Sequence, residues 1–123
     1  MTTSSRWPAG VGYAQGASRD LLEEFAALNF LLLLTAGPRT EAVHTVKALA
    51  ESAGAAGHRA EVFLAGDGVA HAGSLAGVVP VTLCEADLRW RQSQPTEIPG
   101  VHRGSLRDLA RLCHEADRIL VFR

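Results

Sequence analysis

Phe30-Leu31-Leu32-Leu33-Leu34, followed at once by Thr35-Ala36-Gly37-Pro38-Arg39, decides the fold. The apolar run has no polar alternation, so a strand here is buried on both faces, the environment of a parallel sheet. Gly37 and Pro38 then turn the chain. Thr40 stands where a helix N-cap belongs, and Val43, Val46, Ala50 and Ala53 share one helical stripe that ends at Gly57. Arg59 to Leu64 returns as a second strand, with Ala60, Val62 and Leu64 alternating with Glu61 and Phe63. Strand, helix and strand make a βαβ unit. Its right-handed crossover leaves the loops that follow the strands on one edge of the sheet.

Working outward, Ala65-Gly66-Asp67-Gly68 is a turn, Val69 to Ala76 a short helix, and Val78 to Leu83 a third strand that ends at Cys84. A helical turn or two runs to Trp90, Gln92 to Pro99 is a polar loop, and a fourth strand lies near Val101. Ser105 and Asp108 have capping-box spacing ahead of a helix whose inner stripe is Leu106, Leu109, Ala110, Leu112 and Cys113, leaving Arg107, Arg111 and Glu115 to solvent. Arg118 to Phe122 is the closing strand. The expected fold is a single three-layer α/β domain with a mostly parallel sheet of about five strands. Residues 1–17 form a flexible N-terminal arm and residues 18–123 the α/β domain. That domain opens on a short amphipathic helix outside the sheet, capped by Ser18, with Leu21, Leu22, Phe25 and Leu28 at helical spacing.

Composition narrows the function. A chain of 123 residues suits one domain with a real core. A formal charge of −1 gives no electrostatic reason to expect nucleic acid. The Phe30–Leu34 run is about a quarter of the roughly 20 residues that cross a bilayer, so no membrane partner is expected. The first fifteen residues hold no apolar signal core, and the expected location is the cytoplasm. Two cysteines are too few for a disulfide scaffold and lack zinc-site spacing, so reduced thiols, no metal and no organic cofactor are expected.

Cys84 is the candidate catalytic residue. A cysteine at a strand end facing a helix N-terminus is placed for thiolate chemistry, yet free cysteine is also among the most buried residue types, and both readings stand. Glu85 and Asp87 oppose a thiolate, whereas Arg89 and Arg91 restore a positive field if they fold back toward the sulfur. Cys113, on the inner stripe of its helix, is read as structural. Gly37 and Pro38, and Gly66, Asp67 and Gly68, either present backbone N–H groups to an anion or form tight turns, and turns are the commoner use. None of the five histidines has metal-ligand spacing, and each is read as a surface residue, with His102 best placed to approach the site. Trp90 is either a partner anchor or a helix cap.

From about Asn29 to Phe122 the chain resembles the DsrE/DsrF-like family, which includes the TusD subunit of the bacterial sulfur relay. The resemblance rests on the first strand with Thr35-Ala36-Gly37-Pro38, on Val62-Phe63-Leu64 with Gly66-Asp67-Gly68-Val69, and on the strand ending at Cys84. It continues in Ile98-Pro99-Gly100-Val101 with Gly104-Ser105-Leu106, and in Ala116-Asp117-Arg118-Ile119-Leu120-Val121-Phe122. It implies a compact α/β domain that forms homo-oligomers, trimers or hexamers. It also implies a sulfurtransferase-like role in which Cys84 carries a persulfide between sulfur donor and acceptor proteins. Gly37, Pro38, Gly66, Asp67 and Gly68 would shape the mouth of the site, with Arg89 or His102 as electrostatic support. Some members of that family lack the working cysteine, which leaves a non-catalytic assembly or small-ligand-binding module as the alternative. Glu85, Asp87 and the N-terminal segment find no match in the sulfur-relay subunits.

Overall fold

In the computed structural model, which describes residues 28–91 and 98–123, every strand of the sheet runs parallel to its neighbours. The chain order is β1 (Asn29–Leu34), α1 (Ala42–Ala55), β2 (Arg59–Leu64), a 3₁₀ turn (Gly66–His71), α2 (Ala72–Leu75), β3 (Val81–Cys84), α3 (Glu85–Trp90), β4 (Val101–Gly104), α4 (Leu106–Glu115) and β5 (Arg118–Phe122). The sheet order is β4-β3-β2-β1-β5. The expected arm, the first helix up to residue 27 and the Gln92–Glu97 part of the polar loop fall on residues 1–27 and 92–97, outside the described residues.

The leucine run explains why β1 is central. Leu32 and Leu34 face α1, α2 and α3 in a core with Val46, Val62, Leu64, Leu75 and Leu88, while Leu31 packs on the opposite face with Phe63, Cys84 and Leu112. A strand whose alternate residues both enter cores needs apolar side chains at every position. Each fully buried leucine contributes about 2 kcal/mol relative to exposure.

Local chemistry sets the ends of the elements. The exit of α1 is a Schellman motif: Gly57 has φ +86°, His58 N–H donates to the Ala53 carbonyl at 2.8 Å, and Gly57 N–H donates to Gly54 at 3.1 Å. Its start differs from expectation. The N-cap position is Glu41, which makes no side-chain cap bond, because the Thr40 hydroxyl also donates to Gly37 O at 3.0 Å and reaches Ala42 N–H only at 3.4 Å. At α4 the capping box is complete, with Ser105 Oγ accepting from Arg107 N–H at 3.2 Å and Asp108 Oδ2 accepting from Ser105 N–H at 2.8 Å. The Ser105 N–H holds the Asp108 carboxyl below the usual carboxylate range, aided by His102 and Arg111 and opposed by desolvation.

Two expected placements are corrected. Leu106 and Ala110 are exposed rather than on the inner stripe of α4, which is Leu109, Leu112 and Cys113. His71 is not a surface residue. It is 5% exposed, and its Nε2 lies 3.1 Å from both the Ala36 and Gly37 carbonyls, tying the loop after β1 to the 3₁₀ turn.

Gly68 crosses directly over the end of β1, where a Cβ would lie 2.0 Å from the Leu34 carbonyl oxygen. Gly68→Ala therefore forces the turn off the sheet and is expected to cost about 3 kcal/mol. At Gly73, inside α2, nothing lies within 4 Å of an added Cβ. Gly73→Ala should instead stabilise by about 0.5–1 kcal/mol through helix propensity. Denaturant midpoints of the two variants check this pair. Ser105→Ala should cost about 1 kcal/mol as a lost N-cap. Because the folded-state pKa of Asp108 is lowered, its contribution to stability is present above the unfolded value and fades as pH falls through the folded one. Asp108→Asn should flatten that acid-side loss in thermal unfolding at pH values below the ordinary carboxylate range.

Candidate functional site

The three steps β1 to β2, β2 to β3 and β3 to β4 all move toward one edge of the sheet, and α1, α2 and α3 lie on one face. The chain then returns past three strands to β5, and α4 lies on the other face. The loops after the adjacent strands β3 and β4 thus diverge, and a crevice opens at their C-terminal ends. A cleft of about 670 Å³ occupies that position, lined by Cys84, Glu85 and Arg89 from one side and His102, Arg103, Ser105 and Asp108 from the other.

Cys84 is the last residue of β3 and the N-cap position of α3. Its register partner is Gly104 on β4. Its side chain joins the α4-side core with Leu31, Phe63 and Leu112, and the residue is 4% exposed, so it forms the floor of the cleft. Gly104 keeps that floor open. A Cβ there would lie 2.6 Å from Asp108 Oδ2 and 2.9 Å from Thr82 Cγ2, so only glycine lets the capping box fold over the strand end.

The acidic residues that opposed a thiolate in the sequence are engaged elsewhere. Glu85 Oε2 lies 3.1 Å from Arg89 Nη2 and 3.5 Å from Arg103 Nη2, so two guanidinium groups flank one carboxylate. Asp87 Oδ2 accepts from Gly66 N–H at 2.7 Å, and its Oδ1 lies 3.7 Å from Arg91 Nη1. With Asp108 bound to Ser105 N–H, each carboxylate of the cleft wall has a donor. Arg103 Nε is buried with no hydrogen-bond partner among the described residues. A buried donor without an acceptor is costly, and the same guanidinium faces Glu85 through Nη2 at 3.5 Å.

Of the candidate residues, the cleft gathers Cys84, Arg89 and His102. Gly37, Pro38, Gly66, Asp67 and Gly68 lie on the same sheet edge outside the cleft lining. They belong to a neighbouring cluster in which Arg91 Nε pairs with Asp67 Oδ1 at 2.9 Å, and a Cβ on Gly37 would sit 3.5 Å from Asp67 Cβ. Gly66 has φ +58°, and its N–H is committed to Asp87. Pro38 is exposed. α3 stands between the two groups and joins them through Asp87, which both lines the cleft and holds the Gly66 turn. The sequence reading missed Arg103, Ser105 and Asp108 as site residues, because the last two were recognised only as a helix cap. Gly104, at a strand end immediately before a cap, was the available signal. Trp90 is 81% exposed on α3, which removes the helix-cap reading. Among the described residues, no group of three or more His, Cys, Asp or Glu side chains could hold a metal ion.

No protein-family model and no curated protein matches the chain. Among solved structures, the chain is similar to the ychN protein from E. coli, at 25% identity and a TM-score of 0.60, with 78% of this chain and 99% of that one covered. No helix of the described residues is long and apolar enough to cross a membrane. The likeness to ychN supports a DsrE/TusD-like fold for this single α/β domain of five parallel strands.

Proposed function

We propose that the protein is a sulfur carrier in which Cys84 holds sulfane sulfur as a persulfide and passes it to an acceptor thiol. The observation that carries this reading is the position of Cys84 on the floor of the switch-point cleft, beneath Arg89, Arg103 and His102. The chemistry needs no metal and no organic cofactor. The Cys84 thiolate attacks the outer sulfur of a donor persulfide, the donor S–S bond breaks, and the donor leaves as a thiolate. The acceptor thiolate then attacks the outer sulfur on Cys84, and Cys84 leaves as a thiolate. Each step exchanges one S–S bond for another and transfers one sulfur atom without net oxidation. The cations of the cleft offset the negative charge that accumulates as thiolate and persulfide meet.

The protein acts in this reading as a homo-oligomer, a trimer or a hexamer, exchanging sulfur with donor and acceptor proteins in the cytoplasm. Ile119 and Val121 support the assembly: they are exposed on the α4 side of the edge strand β5, where apolar side chains on an open edge invite a partner. One observation favours the alternative, a non-catalytic assembly or small-ligand-binding module: Cys84 is packed against Leu31, Phe63 and Leu112.

Intact mass after incubation with a sulfane-sulfur donor separates the two. The carrier gains the mass of one sulfur atom, reversibly with a thiol, and Cys84→Ala does not. A wild-type protein that gains no sulfur, with a Cys84→Ser variant that loses about 1–2 kcal/mol of stability, would establish the structural role instead. Arg103→Gln should slow sulfur loading by about tenfold, as expected for loss of a charged hydrogen bond to an anionic reactant.

A further inference from the structure

We infer that a second copy of this chain adds to the open edge of the sheet, with β5 pairing antiparallel to β5 of its copy about a twofold axis at Leu120. The inference rests on the homo-oligomeric assembly of the proposed function and names its contact. The sheet has two edges, β4 and β5, and they are built differently. β4 is four residues long and carries His102 and Arg103, the short, charged construction that discourages pairing. β5 is five residues long, with Ile119, Leu120 and Val121 in succession and no proline or lysine. These three are 45%, 39% and 55% exposed, so both faces of the strand meet solvent. Leu120 lies on the α1 side, in register with Leu32, and Ile119 and Val121 lie on the α4 side, in register with Leu31 and Leu33. Among the described residues, no strand other than β1 pairs with β5.

Backbone and side chains select the same register. Phe122 O accepts from Thr35 N–H at 2.9 Å, so Phe122 turns its peptide groups toward β1. Those groups alternate in direction along a strand, which leaves the N–H and C=O of Ile119 and Val121 pointing to the open edge. A twofold axis at Leu120 sets Ile119 opposite Val121 of the second copy, as a pair that exchanges two hydrogen bonds. The axis repeats the pair, so every outward N–H and C=O of these residues is satisfied. Opposed β-branched side chains also pack well on a sheet face. Leu120 meets its own copy at a non-hydrogen-bonded position, on the face where Leu49, 38% exposed, lines the same groove. Asp117, just before β5, falls opposite Arg123 of the second copy, just after it, so opposite charges meet at both ends. Arg123 has no ion pair among the described residues. Moving the axis by one residue loses this match, because an axis at Ile119 sets Asp117 against Val121 and an axis at Val121 sets Arg123 against Ile119. A twofold contact closes a dimer, or a hexamer when joined to a threefold contact.

Sedimentation of the full chain over a dilution series tests this, with cross-linking to fix the register. The wild type should associate, and Val121→Lys should raise the dissociation constant at least about tenfold by placing a lysine from each copy on the joined edge. Val121 is more than half exposed, so the variant should keep the wild-type circular dichroism. Arg123→Glu, which sets like charges at both ends, should weaken association by roughly three- to tenfold at low salt and by less at high salt. Under mild oxidation Leu120→Cys should join two chains through the introduced thiols, since Cα atoms about 4.5 Å apart across a non-hydrogen-bonded pair are within disulfide reach. Peptide mapping separates that link from any at Cys84 or Cys113. A wild-type chain that is monomeric at every dilution would overturn this contact and the assembly together. Association that survives Val121→Lys at wild-type strength, with no link between the introduced thiols, would overturn the β5 contact alone and leave the assembly standing.

Discussion

A right-handed crossover is the constraint on which the rest of the molecule depends. Three successive crossovers of one hand carry the chain from β1 to the β4 edge and stack their helices on one face. A return to the β5 edge of the same hand must travel over the opposite face. That single reversal gives α4 its core of Leu31, Phe63 and Leu112, and it parts the loops after β3 and β4. At the other edge β5 is exposed on both faces, through Leu120 on the α1 side and Ile119 and Val121 on the α4 side.

The electrostatics of the loop edge follow from the same geometry. Glu85 and Asp87 begin α3, one facing the β4 strand and the other the β2 turn. Each finds a partner on the side it faces. Glu85 is held between Arg89 and Arg103, and Asp87 accepts from Gly66 N–H beside Arg91. Charges that look hostile to sulfur chemistry in a linear reading are spent on positioning guanidinium groups and a turn. Asp108 is similarly committed, because its carboxylate closes the cap of α4. The cleft is left with carboxylates that each have a donor, beside Arg89 and Arg103, over a buried thiol.

Much of this was legible in the sequence. The run Phe30–Leu34 lacks alternation because both faces of that central strand are covered, and that signal is local; Arg118–Phe122 shows the same run at the sheet's edge, where Ile119, Leu120 and Val121 stay exposed. Gly57, Ser105 and Asp108 marked helix ends because their preferences arise from backbone groups a few residues away. What could not be read were distances set by strand order. Nothing in the sequence places Gly104 beside Cys84 rather than Gly66 or Gly37, since that pairing requires β4 to add next to β3. Leu106 looked like core because it keeps the period of α4, yet it falls in the first turn, beyond the sheet's edge, where it borders the cleft. His71 was misjudged for the converse reason. Its polar ring is buried because two carbonyls from a loop distant in sequence receive it.

The central claim is that the crossover reversal delivers Cys84, although largely buried, to reagents entering the cleft. The most direct measurement is site-mapped alkylation of the native protein by a small thiol reagent, read separately at Cys84 and Cys113. The account predicts that Cys84 is modified in the folded protein, and that Gly104→Ala, by adding a Cβ among Thr82, Asp108 and the strand end, changes its rate. Labelling of Cys84 only at the rate of global unfolding would contradict it.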